Sequence, residues 1–154
     1  MVLNGELEIT CPEGFREMDA SERAGLQFLE DGPGICLNDA QRHMIVTVGW
    51  KKPSLLLRLL LNGKDIAKGM EANIRKAMRP YGYSLEGYTL RRPGDREAHG
   101  VRFTYTAQGV DMYSESCVVK YHDTLYYFNL YTRTERKAEN LGVWEQLLNS
   151  AVWH

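Results

Sequence analysis

Much of the stretch VRFTYTAQGVDMYSESCVVKYHDTLYYFNLYT, residues 101 to 132, alternates large apolar and smaller or polar residues with a period of two, with turn signals at Gly109 and near His122-Asp123. Side chains of a strand alternate between the two faces of its sheet, so this pattern demands consecutive antiparallel strands rather than helix. A two-residue turn at His122-Asp123 sets the register, pairing Tyr121 with Thr124, Val119 with Tyr126 and Cys117 with Phe128. One face then carries Cys117, Val119, Tyr121, Tyr126, Phe128 and Leu130, and is a core face. The other carries Ser114, Ser116, Val118, Lys120, Leu125, Tyr127, Asn129 and Tyr131. Shifting the register by one residue would expose Phe128 and Leu130.

Elsewhere the chain supplies helices and shorter strands. LEITCPEGF, residues 7 to 15, reads as a strand running into a Pro-Glu-Gly turn, and DASERAG as a polar connection. GICLNDAQRHMIVTVGW, residues 34 to 50, reads as two strands, the second with Met44, Val46, Val48 and Trp50 on one face. Pro53 opens a short leucine-rich helix that Asn62-Gly63 closes. From Asp65 as N-cap, Ile66, Met70, Ile74, Ala77 and Met78 recur at helical spacing, Glu71 lies outward with Lys68, Arg75, Lys76 and Arg79, and Pro80 ends the helix. YSLEGYTL, residues 83 to 90, is a further strand. Leu141, Trp144, Leu147, Leu148, Ala151 and Val152 form the buried stripe of a closing helix, after which His154 is expected to be disordered. A length of 154 residues suits one domain, residues 1 to 154, with a sizeable core. The fold class expected is α+β, an antiparallel sheet of about six strands flanked by helices.

The same alternation weakens the reactive residues. Cys117 points away from Ser114 and Ser116, and strand rise separates it from His122 by roughly 16 Å, so no local triad forms. Cys11, Cys36 and Cys117 all read as small core residues. His43, His99, His122 and His154 show no metal-ligand spacing, and Glu115 and Asp111 read as exposed strand-end charges. No phosphate-binding glycine motif occurs. The reading is of a chain that is not an enzyme and takes no cofactor and no metal. Acidic residues concentrate in the first fifty positions and basic residues in the middle third. The basic residues are spread over a helix, a loop and strand ends with no recognition motif, so no nucleic-acid partner is expected. The apolar run LLLRLLL, about 10 Å as a helix, is too short for a transmembrane segment. An odd cysteine count and the absence of a leader pattern at the start point to a cytoplasmic protein.

Two features exceed what a core needs. Six leucines in residues 55 to 61, among them Leu56 and Leu60, surround Arg58 and are apolar on all sides of a helix. The second is the face bearing Ser116, Tyr127, Asn129 and Tyr131, where tyrosine combines apolar area with a hydroxyl. Both suit a protein partner or self-association, including a homodimer. A different class stays open, an anion-ligand site or enzyme assembled from Arg91, Arg92 or Arg102 with His43 or His99.

The order of ITCPEGF, then the strands from VRFTYTAQ to YYFNLYT, then ENLGVWEQLLNSAVW resembles the PsbP-like superfamily, and within it the bacterial DcrB-like group. This resemblance covers most of the chain and rests on element order and hydrophobic pattern. It implies a sheet sandwich with packed helices and a non-catalytic, protein-binding or chaperone-like role. It transfers no functional residue, because the family pattern has no diagnostic motif here.

Overall fold

The computed structural model describes residues 1–26, 32–60 and 62–154, with only the backbone described at 57, 58 and 60. Its strands are β1 (Val2–Leu3), β2 (Leu7–Glu8), β3 (Arg16–Glu17), β4 (Gly34–Asp39), β5 (Met44–Lys51), β6 (Ser84–Arg91), β7 (Ala98–Ala107), β8 (Val110–Tyr121), β9 (Thr124–Arg133) and β10 (Val152–Trp153). Its helices are α1 (Ala20–Ala24), α2 (Leu55–Leu60), α3 (Gly63–Met78) and α4 (Lys137–Asn149). Seven strands form one antiparallel sheet in the order β3-β4-β5-β9-β8-β7-β6, and β1-β2-β10 form a small second sheet. The architecture is α+β as expected, with seven strands in the main sheet where about six were read.

The long hairpins form where the alternation places them. Between β7 and β8, Gln108 and Gly109 both take positive φ, 51° and 77°, the geometry that lets a two-residue turn follow the right-handed twist of its strands. Between β8 and β9 the register pairs Tyr121 with Thr124, Val119 with Tyr126 and Cys117 with Phe128, as the apolar pattern requires. Gly100 permits the close approach of β7 to β8, since a Cβ there would lie 2.1 Å from the Ser116 carbonyl oxygen.

The first face of the sheet, with Met44, Val46, Val48, Cys117, Val119, Tyr126, Phe128 and Leu130, is buried beneath Trp144, Leu147 and Leu148 of α4. Burying each such aliphatic or aromatic side chain contributes about 1.5–3 kcal/mol, so this layer dominates stability. The second face is covered over β7 by α3, where Met78, Met70 and Ile74 pack with Val101, Phe103 and Tyr105.

Several local readings change. DASERAG contains α1, whose Asp19 accepts from the Glu22 N–H while Glu22 accepts from the Asp19 N–H. This reciprocal capping box is a sequence signal that weak periodicity concealed. Asn62, not Asp65, caps α3, its Oδ1 accepting from the Asp65 N–H at 3.0 Å. Glu71 is buried rather than outward and accepts a 2.8 Å hydrogen bond from Tyr83, while Ala77 is exposed. The closing helix ends at Asn149, so Val152 leaves the helical stripe and pairs with Glu8 in the small sheet. His154 is ordered: its N–H donates to the Glu6 carbonyl at 2.8 Å, and its ring lies 3.1 Å from Glu8.

Candidate protein-binding surface

The second sheet face divides into two parts. Ser114 and Ser116 lie under the α3 side and are buried, Ser116 at 2% exposure, with Ser114 donating to the Leu130 carbonyl at 2.6 Å. Ser116 therefore belongs to the packed interior and is corrected as a surface binding residue. Nearer β5, Tyr127, Asn129 and Tyr131 are half-buried. Asn129 donates to the Thr47 hydroxyl at 2.9 Å, the Lys51 ammonium sits 5.0 Å from the centre of the Tyr127 ring, and Tyr131 packs against the α3 cluster. Strand pairing thus gathers three of the four face residues into one polar-aromatic strip across β5 and β9, while burying the fourth.

The leucine-rich helix α2 follows β5 after a three-residue link. Leu55, Leu56 and Leu59 are 65%, 67% and 76% exposed, so the described leucines are surface rather than core. Leu60 carries the same expectation, but its side chain lies outside the described residues. Three exposed leucines on one short helix are suited to contact with another apolar surface.

Of the two acidic strand-end residues that sequence reading placed on the surface, one sits elsewhere. Glu115 is fully buried on the first face, accepting from Arg91 at 2.9 Å and 3.1 Å and from the Trp144 indole N–H. Asp111 is exposed as expected. Burial opposes the charge on Arg91, but the Glu115 carboxylate more than offsets this and raises the guanidinium pKa. Arg91 also holds Glu145 at 3.1 Å, clamping α4 to the sheet edge. The parity of position 115 with Cys117 was the available signal, since both must face α4.

Arg91 and Arg92 do not form an anion site with His43 or His99. Arg91 is occupied by two carboxylates and Arg92 pairs with Glu97 at 3.4 Å. The depression beside them, about 330 Å³, is lined by Leu90, Arg91, Arg92, Glu145, Leu148 and Asn149. Neither His43 nor His99 reaches it: His43 occupies the β4–β5 turn, and the His99 ring lies against Gly63 at the start of α3. Among the described residues no three His, Cys, Asp or Glu side chains converge in a way that would hold a metal ion. Cys36 and Cys117 are buried, and burial pushes the Cys36 thiol up to about 11 and the Cys117 thiol higher still. Thiols so far from ionisation are poor nucleophiles.

One cluster was not legible in the sequence. Glu6 accepts from Tyr126 and lies 2.9 Å from His122 Nδ1, and Asn4 donates to the Tyr126 hydroxyl at 3.0 Å. The Tyr126 and His122 hydrogen bonds hold the Glu6 carboxyl below its ordinary value. These contacts fasten the small sheet onto the end of the β8–β9 hairpin. They link residues more than a hundred positions apart, beyond the reach of any local pattern.

No family model and no curated protein sequence matches this chain. Solved structures do. The solution structure of cyanobacterial PsbP from Synechocystis has a TM-score of 0.70 at 14% identity, over 96% of this chain and 86% of that one. LpqN of Mycobacterium tuberculosis, described as involved in cell envelope biogenesis, has a TM-score of 0.55 at 12% identity over 96% and 82%. The immunity protein TplEi of Pseudomonas aeruginosa, solved with a peptide, has a TM-score of 0.50 at 12% identity over 97% and 59%.

These likenesses correct the expectation of a cytoplasmic protein, because PsbP and LpqN are extracytoplasmic proteins. The cysteine count does not decide the compartment: Cys36 and Cys117 are buried, while Cys11, read as a core residue, is only half-buried. No helix of the described residues is long and apolar enough to cross a membrane. With its seven-stranded antiparallel sheet, the helix sealing one face and the closing small sheet, the chain has the PsbP-like fold.

Proposed function

We propose that this protein is a non-catalytic binding module that holds an apolar segment of another protein against α2 and the Tyr127 and Asn129 end of the β9 strip. The observation that carries the reading is the exposure of Leu55, Leu56 and Leu59 on one short helix. Each exposed leucine offers about 1.5–3 kcal/mol on full burial, so three together can hold a peptide after its ordering cost is met. Lys51 and Lys52 beside the helix are both exposed and would favour a ligand with acidic flanks. The peptide complex of the similarly folded TplEi is in keeping with such a role.

Fluorescence anisotropy of a labelled leucine-rich peptide tests this. Saturable binding is expected, weakened at least tenfold by Leu59→Lys, since burying a lysine in place of leucine loses more than the 1.4 kcal/mol that a factor of ten represents. Unchanged affinity in that variant, with thermal melting also unchanged, would remove α2 from the site.

A further inference from the structure

The two edges of the main sheet are built differently. At one edge β3 is a two-residue strand, Arg16–Glu17, exposed and charged. Short charged edge strands resist pairing with other chains. At the other edge β6 runs for eight residues, Ser84–Arg91, and hydrogen-bonds only β7 among the described residues. Leu85, Tyr88 and Leu90 are exposed at 39%, 54% and 57%, where a sheet protected against association would carry lysine or proline.

The backbone phase of this edge follows from the β7–β8 hairpin. Ala107 and Val110 flank its two-residue turn and form a hydrogen-bonded pair, so Val101 and His99 bond β8, while Gly100 and Ala98 turn toward β6. Their partners Thr89 and Arg91 then bond β7. The N–H and C=O groups of Tyr88 and Leu90 consequently point away from the sheet. Glu86 is the extra residue of a bulge between Leu85 and Gly87, leaving Gly87 to Arg91 as the regular stretch.

We infer that β6 pairs antiparallel with β6 of a second copy of this chain, about a two-fold axis through Thr89, joining two seven-stranded sheets edge to edge. In this register Tyr88 forms a hydrogen-bonded pair with Leu90 of the second copy, and Leu90 with its Tyr88, giving four main-chain hydrogen bonds. Both pairs are aromatic against aliphatic on one face. Arg91 lies opposite Gly87, so the central arginines do not oppose each other. Beyond them, Glu86 is held within its own chain by Lys137 at 3.5 Å and Arg92 by Glu97 at 3.4 Å, so neither leaves an unmatched charge at the seam. The bulge stays outside the paired segment, whereas a symmetric register centred on Tyr88 would draw Glu86 into it opposite Leu90. Self-complementarity of this kind is what a two-fold interface requires. The surface is separate from α2, so this inference and the proposed peptide site fail independently.

Light scattering over a concentration series, together with isotope-filtered NOE measurements on a mixed labelled sample, tests the pairing. The expected results are a rise in molar mass toward twice that of the chain and a cross-copy contact between the two Thr89 Hα protons. Leu90→Pro removes an outward N–H and leaves the β7 ladder intact, so the doubled mass should be lost while the melting temperature holds. If that variant melts early, Tyr88→Lys with Leu90→Lys takes its place and should also give a monomer. A monomer up to the solubility limit, a dimer indifferent to both edge variants, or a monomer whose β6 accepts an added strand peptide instead would overturn the inference.

Discussion

The two faces of the main sheet differ in how completely the chain covers them. Over the first face, α4 lays Trp144, Leu147 and Leu148 on an apolar floor, and the fully buried carboxylate there, Glu115, is matched by Arg91 and the Trp144 indole. Over the second, α3 covers the β7 side, while the strip across β5 and β9 keeps half-buried tyrosines and α2 keeps exposed leucines. A fold can therefore be held by one sealed layer and leave apolar surface on the other for a partner. Stability and binding should then separate by face.

The largest effect is expected from Trp144→Ala, which removes the main side chain of the sealed layer and the indole donor of a buried carboxylate. A loss of about 3–5 kcal/mol, read from urea midpoints, is predicted. Arg91→Met leaves the Glu115 charge buried without its cation and should cost about 3 kcal/mol or more. Adding Glu115→Leu to that variant should recover most of the loss, a non-additivity measurable in a double-mutant cycle. On the second face, Asn129→Ala removes one hydrogen bond to Thr47 and should cost about 1 kcal/mol. Leu59→Lys should change stability by less than about 0.5 kcal/mol, although it weakens peptide binding.

A smaller effect belongs to the clasp at the end of the sealed face. The Glu6 pKa is depressed in the folded protein, so the unfolded state binds the proton more readily and the contribution is fully present above the unfolded value. As pH falls from near 4.5 through the lower folded value, that contribution is lost. The Tyr126→Phe variant, lacking the hydroxyl that Glu6 accepts from, should show a flatter dependence of stability on pH in this window. An identical slope would assign the acid sensitivity to other carboxylates.

Much of the sheet was legible because period-two alternation and turn chemistry act locally: the pairing of Cys117 with Phe128 follows from the strand pattern around His122-Asp123. The same parity placed Cys117 in the core and should have placed Glu115 beside it. Charge by itself suggests exposure, and the partner that makes burial tolerable, Arg91, lies on another strand. Glu71 was misplaced for the same reason, its partner Tyr83 lying beyond the helix end. Of the candidate surface, Tyr127, Asn129 and Tyr131 were readable as one face, but Ser116 was not readable as covered. Which part of a face a helix crosses depends on packing between distant segments, and no local spacing encodes it.

The claim that binding belongs to the second face and stability to the first is tested most directly by NMR chemical-shift mapping of the leucine-rich peptide on isotope-labelled protein. The account predicts saturable shifts at described residues of α2 and at Lys51, Tyr127 and Asn129, with α4 and the small sheet unmoved. Shifts centred on α4 or on β1, β2 and β10, with α2 silent, would contradict it.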